Sequence, residues 1–178
     1  MDNPKRILIV LIAGIGDLVL SSKAIRSIAL KGQGSVDITL LTSTEDVRLA
    51  QAYPYFKEVY GFPIRELRHG NSHVIDILRL VKTLRMTEFD VIANLYLVGS
   101  MAGAVKMGLL FTALKAKTKI GHDLYGFGRF LDVSLPASTF EGRHVVDAMQ
   151  EIAIKAGGIP DDRGIELAYV VEERVYPY

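Results

Sequence analysis

The chain has 178 residues, enough for one well-buried domain or two very small ones. Its formal net charge is +1, from 21 lysines and arginines against 20 aspartates and glutamates, so no bulk basic surface for nucleic acid is expected. The absence of cysteine excludes disulfides and thiolate metal sites. Hydrophobic residues make up 49% of the chain, which requires a large interior, a partner surface or a membrane.

The first apolar run, residues 6–12, is β-branched and aliphatic without polar alternation. A parallel strand buried on both faces has this pattern. Lys5 and Arg6 before the run resemble the start of a signal peptide. However, the run is short for such a segment and ends in Gly-Ile-Gly-Asp instead of a small-residue cleavage site. We therefore predict a strand.

The rest of the chain alternates between strand-like and helix-like patterns. The sequence predicts strands over residues 6–12, 36–42, 57–62, 89–95 and 118–121, and a further strand in the tail at 165–171. It predicts helices at residues 17–30, 45–52, a segment that includes 74–84, 99–116 and about 143–157. The connections are too long for hairpins, and the alternation predicts one α/β domain, a doubly wound, Rossmann-like parallel sheet with helices on both faces.

Residues 95–114 are apolar apart from Lys106. Their length approaches the roughly 20 residues that a membrane span needs. Glycines and the central lysine argue against a span, because a charge at the centre of a membrane is costly. We expect a helix that packs on the sheet, and a partner-binding surface is the alternative.

The turn after the first strand, Ala13-Gly14-Ile15-Gly16-Asp17, carries the main candidate for chemistry. It almost matches the dinucleotide-binding pattern G-x-G-x-x-G, but Val19 stands at the third glycine position and no acidic residue ends the second strand. A carboxylate at a helix start also repels a pyrophosphate. Asp17 is then either an N-terminal helix cap or a general base that faces the crevice outside the strand ends.

Other polar groups stand in predicted loops. Arg65 and Arg68, with His69, suit an anionic substrate such as a phosphate or an acidic sugar, although an ordinary surface loop has the same composition. The glycine between His69 and His73 disfavours a helical metal-ligand pair, and no metal site is predicted. His144 precedes a helix, where it either reaches the crevice or is simply exposed.

Several short motifs occur in an order that carries a family resemblance. They are Ile7-Leu-Ile-Val10, Ile15-Gly16-Asp17, Ala24-Ile-Arg26-Ser27, Ile38-Thr-Leu-Leu41, Phe89-Asp-Val-Ile92, Ile120-Gly121 with Asp123, and Gly142-Arg-His144-Val-Val-Asp147. In order and spacing they resemble glycosyltransferase family 9, the ADP-heptose:lipopolysaccharide heptosyltransferases. The resemblance extends from Ile7 to about Gly158.

The resemblance implies a two-domain GT-B enzyme that transfers heptose or another sugar, with inversion and without metal or cofactor, from a nucleotide-sugar to a lipopolysaccharide-type acceptor. Residues 1–160 are the implied Rossmann-like acceptor-side domain, and residues 161–178 are a tail or the start of the interdomain linker. Asp17 is the implied catalytic base. The implied location is cytoplasmic, with peripheral contact to the cytoplasmic face of the inner membrane left open.

The candidate substrate-binding residues lie in predicted turns and loops and at one helix start. They are Gly14, Ile15, Gly16, Arg65, Arg68, Asp123, Arg129 and His144. We expect the chain alone to be inactive, because the family's donor-binding half does not lie within these residues. A stand-alone nucleotide- or sugar-binding module without catalysis is the alternative, and a partner-binding domain is a third.

Overall fold

The computed structural model describes residues 4–32, 35–65, 74–136 and 144–168. The strands are β1 (Lys5–Leu11), β2 (Val36–Ser43), β3 (Glu58–Phe62), β4 (Phe89–Asn94), β5 (Ala116–Asp123) and β6 (Val133–Pro136). The helices are α1 (Ile15–Gly32), α2 (Val47–Ala50, after a turn of 3-10 helix at Thr44–Asp46), α3 (Val74–Arg85), α4 (Met101–Ala113) and α5 (Val145–Lys155).

The strands form one sheet of six, in the order β3-β2-β1-β4-β5-β6. Every neighbouring pair is parallel. Strand β1 lies inside the sheet and pairs with β2 along its whole length and with β4 from Ile7 to Val10. This order is that of doubly wound dinucleotide-binding folds, and the predicted fold class is confirmed.

Helices cover both faces of the sheet. The odd-numbered residues Ile7, Ile9 and Leu11 of β1 belong to the core under α1 and α5. The even-numbered residues Leu8 and Val10 belong to the core under α3 and α4. All five side chains are at most 1% exposed, so the unbroken apolar run reflects burial on both faces.

The apolar segment 95–114 contains α4, which has 13 residues. Met107, Leu110 and Phe111 are buried against the sheet, as expected for a packed helix. Among the helices of the described residues, none combines the length and the apolar character needed to cross a membrane.

The structure corrects one predicted strand and adds another. The tail strand is wrong over residues 165–168, which have no regular structure, and its last residues lie outside the described ranges. The sixth strand is instead Val133–Pro136, for which no strand was predicted. It is a short edge strand whose side chains are mostly exposed, so it lacks the buried apolar run that identified the other strands. A proline is tolerated there because one side of an edge strand needs no donor.

The segment after α5 lies along α1. We call residues 159–168 the strap. The N–H of Ile159 donates to the carbonyl oxygen of Ser27 at 3.1 Å, and the N–H of Glu166 donates to Ser22 Oγ at 2.9 Å. The strap therefore runs antiparallel to α1, and it leads toward the first turn of that helix.

A buried arginine holds the strap in place. Arg26 on α1 contacts Asp161 (Nε to Oδ2, 2.5 Å), Glu166 (Nη1 to Oε2, 3.1 Å) and the carbonyl oxygen of Gly164 (2.7 Å from Nη2). Arg26 and Asp161 are each 4% exposed. Burial alone would raise the pKa of Asp161, but hydrogen bonds from Arg163 and Arg26 outweigh it and lower that pKa. The ion pair thus favours the folded state with Asp161 ionised.

The substitution Asp161→Asn tests this arrangement. The folded-state pKa of Asp161 is lowered, so its stabilisation is present above the unfolded-state pKa of about 3.9 and is lost as the pH falls through the folded-state value. We expect the variant to be less stable by about 3 kcal/mol at pH 7, because the Arg26 guanidinium stays buried without this partner. Urea denaturation measures the free energy of unfolding.

Urea denaturation is then repeated at several pH values from about 7 to 3. Over this range the free energy of unfolding should fall less for Asp161→Asn than for the unmodified chain. Asp162→Asn is the control, since Asp162 is the exposed neighbour of Asp161. Its replacement should change neither the free energy of unfolding at pH 7 nor its dependence on pH. Parallel pH curves for all three proteins would contradict the ion-pair assignment.

Candidate active site

The strand order reverses between β1 and β4. From β1 the chain crosses through α1 to β2 on one side, and from β4 it crosses through α4 to β5 on the other. In open parallel sheets, ligands bind in the crevice that this divergence leaves outside the carboxyl ends of the strands. The turn at residues 12–14 and the connection at residues 95–100 border that crevice.

Helix α1 begins at Ile15, two residues before the predicted start. The carbonyl oxygen of Gly14 accepts hydrogen bonds from the N–H groups of Asp17 (3.0 Å) and Leu18 (3.2 Å). Gly14 therefore has the N-cap position, and Asp17 is not the cap residue but lies in the first helical turn. Its exposed carboxylate stands near the positive end of the helix dipole, which favours the negative charge.

The space around this turn is open. A Cβ atom built on Gly14 or Gly16 would meet nothing within 4 Å. Neither glycine has a positive φ, so nothing in the backbone conformation requires a glycine at these positions. Ile15 between them is 60% exposed. The two glycines leave room beside Asp17 instead of enabling a strained turn.

A buried pair at the end of the neighbouring strand, Ser43 and Asp46, contacts this turn. Ser43, the last residue of β2, places its Oγ 2.8 Å from the carbonyl oxygen of Ala13 and 2.5 Å from Oδ2 of Asp46. Its single hydroxyl proton is available to either acceptor. Although Ser43 directly precedes a turn of 3-10 helix, its side chain makes no capping hydrogen bond there. Its side chain is tied to the β1–α1 turn instead.

The other border of the crevice is held by Asn94, the last residue of β4. Its Nδ2 donates to the carbonyl oxygen of Tyr96 at 3.0 Å, and its buried Oδ1 has no hydrogen-bond partner within the described residues. The N–H of Leu95 donates to the carbonyl oxygen of Val10 at 2.9 Å and continues the ladder beyond the strand. Ser100 then caps α4 by accepting from the N–H of Gly103 at 3.1 Å.

Asp123 ends β5, the strand beside β4, and shapes the loop that follows. Its Oδ1 accepts a hydrogen bond from the N–H of Gly128 at 2.8 Å. A Cβ on Gly128 would lie 2.8 Å from the Cβ of Asp123, so only glycine fits there. Tyr125 and Gly126 within this loop have φ values of 56° and 81°. The Asp123 carboxylate thus has a structural partner, and Arg129 in the same loop is exposed.

The remaining candidates are His144, at the start of the helix that packs on α1, and Arg65 and Arg68, which follow β3. His144 is exposed at the start of α5, where its Nδ1 accepts from the N–H of Val146 at 3.3 Å. Arg65 follows β3, is 73% exposed, and has its Nε 3.8 Å from Oε1 of Glu45. Arg68 lies outside the described residues.

All the described candidates therefore follow carboxyl ends of strands, but they do not form one cluster. Asp17 is at the centre of the edge, after β1. Neighbouring strands are about 4.8 Å apart, so side chains after β3 and β5 begin about 10 Å to either side of it. The described residues contain no group of three or more potential metal ligands. Among the described residues, this edge is an open surface with the Asp17 carboxylate at its centre.

The fold is the Rossmann-like fold found in half of GT-B glycosyltransferases, as three solved structures show. Heptosyltransferase WaaC of E. coli with ADP has a TM-score of 0.71 and 18% identity, over 89% of this chain and 49% of that chain. A family 9 glycosyltransferase of Veillonella parvula has a TM-score of 0.72 and 16% identity, over 96% and 46%. E. coli ADP-heptose lps heptosyltransferase II has a TM-score of 0.59 and 19% identity, over 83% and 40%.

The chain spans about half the length of these structures or less. The sequence itself matches no family model and no curated protein. At these identities the likeness establishes the fold, and the predicted resemblance to family 9 is confirmed at that level.

The substitution Ser43→Ala tests whether this serine fixes the turn. The Ala13 carbonyl and the buried Asp46 carboxylate would each lose a partner, and the expected loss of stability is about 1–2 kcal/mol. Because the turn is then released, the amide hydrogens of Asp17 and Leu18 should exchange faster. Hydrogen exchange followed by NMR measures this.

Ser100→Ala is the matched control, since it removes the α4 cap at a similar cost of about 1 kcal/mol. It should leave exchange at Asp17 unchanged. Equal exchange at Asp17 in the two variants would show that Ser43 does not hold the turn.

Proposed function

We propose that this chain is the acceptor-side domain of a glycosyltransferase of the heptosyltransferase type. The observation that carries the proposal is Asp17, an exposed carboxylate in the first turn of α1, with open space beside it at the point where the strand order reverses. Ligands of open parallel sheets bind at this point. The fold shared with two E. coli heptosyltransferases supports the reaction class.

Asp17 is the proposed general base. Its carboxylate accepts the proton of an acceptor hydroxyl while that oxygen forms a bond to the anomeric carbon of the donor sugar. The bond from the same carbon to the nucleotide diphosphate breaks on the opposite face, so the sugar configuration inverts. A hydroxyl suits this position better than a phosphate, because the carboxylate would repel a phosphate at the same helix start.

The acceptor is proposed to lie along the carboxyl edge. Gly14, Ile15 and Gly16 leave it room beside Asp17. Arg129 and His144, described above as exposed, are available to hold anionic groups of a lipopolysaccharide-type acceptor. Arg65 and Arg68 are the corresponding candidates after β3. Asp123, which shapes its loop through Gly128, is proposed to act by positioning that loop.

The donor is proposed to be a nucleotide-sugar bound mainly by a second domain. The similar E. coli WaaC structures contain ADP or ADP-2-deoxy-2-fluoro heptose, and this chain spans about half of them. The strap leads toward the first turn of α1 and so toward the edge that carries Asp17. The proposed domain covers residues 1–160, with the linker to the donor-binding half in 161–178. The proposed location is cytoplasmic.

Titration of the ¹⁵N-labelled chain with candidate ligands tests this assignment. A heptose-containing core oligosaccharide should shift the amide signals of residues 14–17 and 123–129, because these segments border the proposed acceptor site. ADP-heptose should cause weaker shifts, because most of its contacts belong to the second domain. No sugar transfer should occur when both ligands are present with this chain alone.

Tight binding of ADP, ADP-sugar or NAD at residues 14–17, without binding of the oligosaccharide, would favour a stand-alone nucleotide-binding module. Turnover by the chain alone would contradict the proposed division of the active site between two domains. His122 gives an internal reference, since its buried ring contacts α5, 3.0 Å from the carbonyl oxygen of Ala148, and should not respond.

A further inference from the structure

Helix α4 has an apolar outer face. Met101, Val105 and Leu109 follow one another at helical spacing and are 66%, 56% and 69% exposed. On the opposite side of the helix, Met107 and Phe111 are buried against the sheet. Exposed apolar side chains at helical spacing are typical of a surface that contacts a partner or a membrane.

Helix α3 packs on the same face of the sheet and adds to this surface. Val74, Ile75 and Leu78 in its first turns are 54%, 65% and 63% exposed. The two helices contact each other and share one hydrophobic core. We call the outer side of α3 and α4 the outer face. It carries six of the large apolar side chains that are exposed in the described residues.

The outer face is also positively charged. Helices α3 and α4 contain four cations, Arg79, Lys82, Arg85 and Lys106, but only one carboxylate, Asp76. Their net charge is therefore +3, although the whole chain carries only +1. The single carboxylate forms an ion pair with Arg79 at 3.5 Å, which leaves the other three cations in excess.

We propose that the outer face docks on an anionic lipid bilayer. Helices that lie on membranes combine large apolar side chains, which enter the boundary between headgroups and acyl chains, with lysines and arginines that meet anionic headgroups. The outer face presents both features on two adjacent helices. A second copy of this chain is a poorer occupant, because a two-fold interface would place the same excess of cations against itself.

The docking would also orient the carboxyl edge. Helix α4 begins at Met101, directly after the connection that borders the crevice. Tyr125 (83% exposed) and Ile15 project at the same edge. On the proposed function, a docked outer face brings the edge with Asp17 close to the headgroups, where a lipid-linked acceptor is presented. The docking itself does not depend on that function.

Flotation of the purified chain with vesicles tests the proposal. The chain should float with vesicles of phosphatidylglycerol and phosphatidylcholine but not with pure phosphatidylcholine. Leu109→Gln should weaken binding about tenfold or more, since a buried leucine contributes about 1.5 kcal/mol at least. Lys82→Gln and Lys106→Gln should each weaken it about fivefold. Added salt should weaken it further.

Leu167→Gln is the matched control, because Leu167 is 72% exposed but lies in the strap, next to α1. It should bind vesicles as the unmodified chain does, and circular dichroism should show that every variant is folded. Equal binding to neutral vesicles, no binding, or an equal loss in Leu167→Gln would overturn the proposal. So would a concentration-dependent dimer in sedimentation that Leu109→Gln abolishes.

Soluble oligosaccharide binding at residues 14–17 is measured without lipid, so its outcome does not depend on flotation. Flotation in turn requires neither donor nor acceptor. If the chain binds the oligosaccharide but not the vesicles, the result supports the proposed function and contradicts the docking surface. The opposite result would keep the docking surface alone.

Discussion

The position of β1 between β2 and β4 is the constraint on which the rest of the structure depends. The strand has parallel hydrogen bonds to both neighbours and is buried on both faces, so the chain after it emerges from the sheet at the carboxyl edge. The chain then turns into α1 while β4 sends its connection the other way, and the crevice between them is where Asp17 stands. Ser43 ties the turn to β2, so the sheet itself sets the position of the carboxylate.

The residues that carry the family resemblance have two different roles. Asp17 is exposed beside open space, as a group that meets a ligand must be. Arg26, nine residues further along the same helix, is buried and holds the strap through Asp161 and Glu166. On the proposed function, these motifs therefore combine a reacting group with the packing that directs the chain toward it. The strap contacts Arg26 in the middle of α1 and runs from there toward the first turn of that helix, which carries Asp17.

The sequence was informative wherever burial imposed a pattern. The apolar runs of β1, β2 and β4 and the helical spacing of α3 and α5 predicted the parallel sheet and its layers. Strand β6 was missed because an exposed edge strand has no such run. The contact between Ser43 and Ala13 joins residues 30 positions apart, and the strap has no periodicity, so neither leaves a local signal. For the apolar segment 95–114 the sequence predicted a helix packed on the sheet, but only the structure separates its buried side from its exposed side.

The most direct test of the account is the rate of sugar transfer by the proposed two-domain glycosyltransferase, measured for Asp17→Asn. Asparagine keeps the size of the side chain and its place in the first turn of α1, but it cannot accept the hydroxyl proton. We expect kcat to fall by about 10²–10⁴, the usual contribution of a general base, while acceptor binding stays unchanged. Transfer within tenfold of the unmodified rate, or a loss confined to acceptor binding, would contradict the assignment of Asp17 as the base.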